Sequence, residues 1–137
     1  MRPAVFVDSS GWLAALSSRE PQHREALEAY VRLADGGGPL VTTNLVVAET
    51  HALWSKAKGP GEGLRFLDRV HSDPVQEVVF VDRDLEARAI DRWLRSFRDQ
   101  RFSLCDAVSF ELMRQEGVRT ALTLDKDFAV AGFEMVP

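Results

Sequence analysis

The chain has 137 residues, 45% of them hydrophobic, which suits one domain spanning residues 1–137 with a core that needs no covalent staples. A formal charge of −4 excludes a protein that coats nucleic acid by bulk electrostatics, and a single cysteine, Cys105, excludes an internal disulfide and a cysteine-rich zinc site. Apolar runs last only a few residues and Asp8 interrupts the first, so the chain reads as cytoplasmic, with no signal peptide or membrane span.

In chain order, AVFV (4–7) predicts a strand, after which Ser9 or Ser10 can cap a short helix through Trp12, Leu13 and Leu16. Pro21 opens a helix with Ala26, Leu27, Tyr30, Val31 and Ala34 at helical spacing, and the glycines after Asp35 close it. LVTT (40–43) is a short strand, and Asn44 can cap the helix NLVVAETHALWSKAKG. GPGEG (59–63) is a breaker before the helix GLRFLDRVHSD; it follows no strand and lacks a Gly-Lys-Ser/Thr ending, so it is no phosphate cradle.

QEVVFV (76–81) predicts a strand, followed from Asp82 to about Phe97 by a helix whose buried stripe is Leu85, Ala89, Ile90, Trp93, Leu94 and Phe97. SLCDAVSFELMRQEG is a helix with Ser103 as its N-cap, and TALTL (120–124) and FEMVP (133–137) are strands. Strands separated by helices predict an α/β fold with a short, mainly parallel sheet.

Four carboxylates stand out from the solvated helix faces. Asp8 and Asp125 follow the first and fourth strands, so a parallel sheet puts both at its carboxyl edge. Glu49 lies within a helix among apolar neighbours, where an isolated charge is costly unless paired or metal-bound. Asp106 sits third in its helix, and its spacing from Ser103 also fits a capping box. Convergence of all four would raise their pKa values by mutual repulsion, and a hard cation, Mg²⁺ or Mn²⁺, relieves that. Such a site suits phosphoryl chemistry. Asp127, in the turn before Phe128, reads as a supporting residue that binds backbone N–H groups. His23, His51 and His71 form no HExxH, and neither a GxSxG elbow nor a P-loop occurs.

Six arginines fall between residues 83 and 101. On a regular helix Arg88, Arg92 and Arg95 share a face. Interleaved acids make that face either a solvated ion-pair surface or a phosphate-contacting ridge.

FVDSS, the Glu of VVAET, SLCDAVSF, and LTLDKDF before GFEMVP occur in this order over nearly the whole chain and resemble the PIN-domain nucleases, specifically the VapC-type toxins of toxin-antitoxin pairs. The resemblance implies a three-layer α/β/α fold with an acidic site at the carboxyl edge of the sheet. It also implies an endoribonuclease dependent on Mg²⁺ or Mn²⁺, an RNA substrate, a cognate antitoxin and a homodimer. Its acidic ligands fall on Asp8, Glu49, Asp106 and Asp125, and hydroxyls that hold the cluster fall on Ser9 and Thr123. The competing readings are a non-catalytic RNA-binding or scaffold protein of the same fold and a receiver-like phosphoacceptor; the latter needs an acid ending a central strand, where TNLVVAET puts its acid in a helix.

Overall fold

The computed structural model describes residues 3–137. Five short strands form one parallel sheet: β1 (Val5–Val7), β2 (Leu40–Thr43), β3 (Gln76–Val79), β4 (Thr120–Leu122) and β5 (Glu134–Val136), in the order β3-β2-β1-β4-β5. Between them run α1 (Ser9–Leu16), α2 (His23–Asp35), α3 (Asn44–Lys58), α4 (Pro60–Ser72), α5 (Arg83–Ala89), α6 (Leu104–Glu116) and the short α7 (Asp127–Val130). Helices α1 to α4 pack among themselves, as do α5 and α6, and the sheet lies between the two groups in a three-layer α/β/α arrangement. β1 is buried along its whole length, as a central parallel strand covered on both faces must be.

From β1 the chain steps outward to β2 and β3, then returns to the other side of β1 for β4 and β5. The order therefore reverses between β1 and β4, where open α/β sheets form a crevice beyond their carboxyl ends. Two devices hold the walls of this crevice. Gly11, in the first turns of α1, lies so close to β4 that an added Cβ would stand 2.2 Å from the Leu122 carbonyl oxygen. Across the sheet, the fully buried ring of Phe110 on α6 meets Phe128 edge-on at 4.9 Å, with Phe102 at 5.1 Å and Trp93 at 5.2 Å. Asp106 lies one turn before Phe110 and Asp127 directly before Phe128, so this aromatic packing fixes two carboxylates relative to each other.

Several local expectations change. Thr43, not Asn44, caps α3 by accepting from the Val46 N–H at 3.2 Å, while Asn44 Oδ1 accepts from the Val81 N–H at 2.8 Å and fastens the chain leaving β3. Helix α4 begins within GPGEG because Pro60 suits a first helical position and Gly63 permits close packing on α3, an added Cβ there standing 2.6 Å from Ser55 Cβ. Past Ala89 the fifth helix widens into a π-helical stretch, Ile90–Arg95, so a regular helical period does not carry through it. The fourth strand ends at Leu122 rather than at residue 124.

Candidate active site

Asp8 leaves the end of β1 and is only 4% exposed. Its Oδ2 accepts hydrogen bonds from Ser10 Oγ at 3.1 Å and Thr123 Oγ1 at 3.0 Å. Burial pushes its pKa up to about 6, against the lowering pull of the Ser9 N–H and the two hydroxyls, and Asp106 adds repulsion. Of the two serines, Ser10 supplies the hydroxyl and Ser9 a backbone N–H. No sequence signal separates them; the choice follows from how the first turn of α1 leaves the strand.

Asp106, Asp125 and Asp127 each offer a carboxylate oxygen, and these oxygens lie within 4.8 Å of one another. Asp106 serves its helix and the site together. Its Oδ2 accepts from the Ser103 N–H at 3.1 Å while Ser103 Oγ accepts from the Asp106 N–H at 3.0 Å, a complete capping box. Burial raises its pKa, as does the charge of Asp125, opposed by the Ser103 hydrogen bonds. Asp127 is raised by burial and then by Asp125. The turn hydrogen bond expected of Asp127 runs the other way: the Asp127 N–H donates to Asp125 Oδ1 at 2.9 Å. The side chain of Asp127 thus joins the cluster, closer to Asp106 and Asp125 than its reading as a support implied.

Glu49 is exposed, since Val46, Val47 and Thr50 turn inward and leave it on the outer face of α3. The burial cost expected of it does not arise. It reaches the rim of the site beside Cys105, whose half-buried thiol is pushed up by burial, then by the charge of Glu49, with Asp8 and Asp106 contributing. Cys105 is therefore a neighbour of the acidic groups as well as a packing residue.

Repelling carboxylates held together by the fold suit a cation. The converging donors are all carboxylate oxygens, the ligand class of Mg²⁺ and Mn²⁺. Gly11, absent from the sequence reading, was signalled by its place inside a predicted helix, where glycine is costly unless backbone approaches closely.

The arginines divide. Arg88 and Arg92 line a cavity of about 410 Å³ with Asp91, Ser96 and Phe97, while Arg95 and Arg98 line another with Ile90 and Leu94. Arg92 Nε lies 3.1 Å from Glu111 Oε1, a fully buried carboxylate that also accepts from Arg114 and Trp93, and Arg95 pairs with Asp91 at 2.7 Å. Burial works to raise the Glu111 pKa, but the Arg114 and Trp93 hydrogen bonds and the two guanidinium charges prevail and hold it low.

A model of the PIN domain family matches residues 5–134, and a *Mycobacterium tuberculosis* protein named 23S rRNA-specific endonuclease VapC20 is 33% identical over 129 residues, covering 94% of this chain and 95% of that one. The chain belongs to the PIN domain family, as a VapC-type member. A VapC ribonuclease of *Archaeoglobus fulgidus* is 23% identical, over 93% of this chain and 80% of its own. The crystal structure of *M. tuberculosis* VapC20, described as a toxin that cleaves the sarcin-ricin loop, superposes with a TM-score of 0.84 at 32% identity, covering 98% of this chain and 100% of that one. VapBC2 of *Rickettsia felis*, solved with a DNA fragment from its promoter, shares the fold with a TM-score of 0.70 at 14% identity, over 96% of both chains.

Proposed function

We propose that this VapC-type PIN domain is an endoribonuclease dependent on Mg²⁺ or Mn²⁺ and the toxin of a toxin-antitoxin pair. The observation that carries the reading is the meeting of Asp106, Asp125 and Asp127 oxygens within 4.8 Å beside buried Asp8, at the crevice between β1 and β4. These four carboxylates would hold the cation. When bound, it supplies charge neutralisation for a phosphodiester and lowers the pKa of water. Glu49, exposed at the rim, would join the four carboxylates as a further ligand. The hydroxyls of Thr123 and Ser10 and the backbone N–H of Ser9 support Asp8.

The names of the relatives support RNA as the substrate, and the 23S rRNA named for VapC20 is the first RNA to offer. A cognate antitoxin and a second copy of the chain are the proposed partners. Among the described residues no helix is long and apolar enough to cross a membrane. The test is cleavage of end-labelled RNA by the purified chain with Mg²⁺, Mn²⁺, Ca²⁺ or EDTA, alongside Asp8→Asn, Glu49→Gln and Asp106→Asn. Cleavage with Mg²⁺ or Mn²⁺, poor cleavage with Ca²⁺ and loss in each variant are expected. Full activity in EDTA would sink the metal mechanism, and no cleavage under any condition would favour the scaffold reading.

A further inference from the structure

Glu111 carries a charge that the acidic site does not use. It is fully buried on α6, and guanidinium and indole groups from two elements close on it. Arg114 spans both of its oxygens, with Nε 3.2 Å from Oε1 and Nη2 3.0 Å from Oε2. In the widened π-helical stretch Arg92 and Trp93, consecutive in sequence, both reach Oε1, at 3.1 and 3.2 Å. Next along α6, the Gln115 amide oxygen accepts from Nε and a terminal nitrogen of Arg88.

The guanidiniums of Arg88, Arg92, Arg95 and Arg114 meet only two carboxylates here, Asp91 and Glu111, so two positive charges are left over on a chain of formal charge −4. Arg92 is paired through Nε and Arg88 through a neutral amide, and both line the cavity of about 410 Å³ with Asp91, Ser96 and Phe97. Asp91 is taken by Arg95 at 2.7 Å. Phe97 stacks on Trp93 at 5.4 Å and 16°, which fixes its ring as one wall. Guanidinium forks match phosphate oxygens, and an aromatic wall matches the face of a base. An acidic peptide would use the charge alone.

We propose that the cavity between Arg88 and Arg92 is a subsite for an RNA phosphate that flanks the reactive one, and that Glu111 is a positioning residue that orients the Arg92 fork. The inference rests on the RNA-cleaving reading above and gives that substrate a second point of attachment. Helix α6 links the two places: Asp106 lies in its first turn at the acidic site, and Glu111 lies five residues on, about 7.5 Å along the axis. A strand following this helix passes from one to the other. Glu111 acts through Arg92, without contact with RNA, because it is wholly buried.

The experiment measures binding of a labelled single-stranded RNA by fluorescence anisotropy over a range of salt in Ca²⁺, thermal melts, and kcat and KM for cleavage in Mg²⁺. It compares wild type, Arg88→Ala, Arg88→Ala/Arg92→Ala, Arg92→Lys, Glu111→Gln and, as an equal loss of charge elsewhere, Arg65→Ala on α4, where Arg65 pairs with Glu62. The double variant should lower the slope of log affinity against log salt by about 1.4, two contacts at about 0.7 each, and raise KM with kcat little changed. Arg88 touches no buried carboxylate, so its single variant keeps the test open if the double variant does not fold. Arg92→Lys should keep the slope and lose affinity, because the charge stays and the fork goes. Arg65→Ala should leave both slope and KM as in wild type. Glu111→Gln removes a negative charge, so simple electrostatics would tighten RNA binding; loss of the oriented fork should weaken it instead, and tighter binding by a folded Glu111→Gln chain would overturn the role of Glu111. If wild type binds and cleaves RNA but Arg88→Ala and the double variant keep its slope and KM, this inference alone fails; poly-glutamate captured by wild type and not by Arg88→Ala, with that RNA slope unchanged, would assign the cavity to an acidic protein segment. If wild type binds no RNA, the RNA-cleaving reading fails with it.

Discussion

The carboxylate of Asp125 accepts the backbone N–H of Asp127, Oδ1 to N at 2.9 Å, so the first of these two aspartates shapes the turn that presents the second. The bond leaves Asp127 free to face Asp106 and Asp125 within the acidic cluster. Asp125 is thereby both a ligand candidate and the organiser of its own loop.

Substitution at the two positions should separate these roles. Asp127→Asn should weaken Mn²⁺ binding about as much as Asp125→Asn, and leave stability in EDTA equal or higher because repulsion is relieved. Asp125→Ala should also lose the turn hydrogen bond, at a cost of about 1 kcal/mol. Mn²⁺ titrations and thermal melts in EDTA check this, and an unaltered Mn²⁺ affinity in Asp127→Asn would return that residue to a purely supporting part.

The pKa of Asp8 predicts the pH dependence of stability without metal. Because burial raises it from 3.8 to about 6, the folded chain holds a proton that the unfolded chain releases at lower pH. The resulting stabilisation is complete below 3.8 and lost as pH rises through about 6. In EDTA this group should make the protein about 1 kcal/mol more stable near pH 5 than near pH 7.5. Chemical denaturation at both pH values, with Asp8→Asn as the reference that lacks the titrating group, measures its share.

Gly11→Ala should be among the most damaging single-methyl changes. The new Cβ would meet the Leu122 carbonyl rather than a movable side chain, so α1 must shift away from β4. A loss of about 3 kcal/mol is expected. Mn²⁺ affinity should fall as well, because the same shift draws Asp8 and Ser10 from Thr123 and Leu124; a variant with normal melting and normal Mn²⁺ binding would contradict the packing account.

Removing the carboxylate of Glu111 strands the Trp93 N–H and two guanidinium groups. Both arginines are about half exposed and can hydrate, so the cost should be lower than for a wholly buried pair. About 2 kcal/mol is expected for Glu111→Ala. Urea denaturation should show Arg92→Ala lowering stability in the same direction by a smaller amount, as one partner is lost rather than the hub.

The division of the arginines bears on RNA binding. Arg95 is occupied by Asp91 and Arg92 by Glu111, whereas Arg88 has no carboxylate partner among the described residues and donates only to the neutral Gln115 amide oxygen. If this surface meets RNA, Arg88→Ala should reduce the slope of log affinity against log salt by about 0.7, the value for one phosphate contact on a single strand. Arg95→Ala should change it less. Equal slopes for wild type and Arg88→Ala would leave this face as a solvated ion-pair surface.

The alternation of elements was legible because periods of two and 3.6 residues and turn residues are local properties. VFV, LVTT and TAL emerged as largely buried parallel strands, and Ser103 and Asp106 lay at capping-box spacing because a cap is set within four residues. Local signals failed where a neighbouring element decided. Thr43 took the cap because Asn44 was drawn to Val81, and α4 started at Pro60, inside the expected breaker, with Gly63 packed directly on α3. The π-helical stretch also interrupts the regular period on which a shared face of Arg88, Arg92 and Arg95 rested.

The sequence by itself determined that aspartates would stand at strand ends and at the start of a helix, since chain position places them there. It left open which hydroxyl serves Asp8 and which of Asp125 and Asp127 shapes the loop, and it misread Glu49 as buried. The Asp125–Asp127 bond is local and set by the turn itself, whereas the choice of hydroxyl fell to tertiary structure because the oxygens belong to segments more than a hundred residues apart, as with Ser10 and Thr123. Their meeting depends on the reversal of strand order between β1 and β4 and on the close approach that Gly11 permits, and neither is a property of any local stretch of chain.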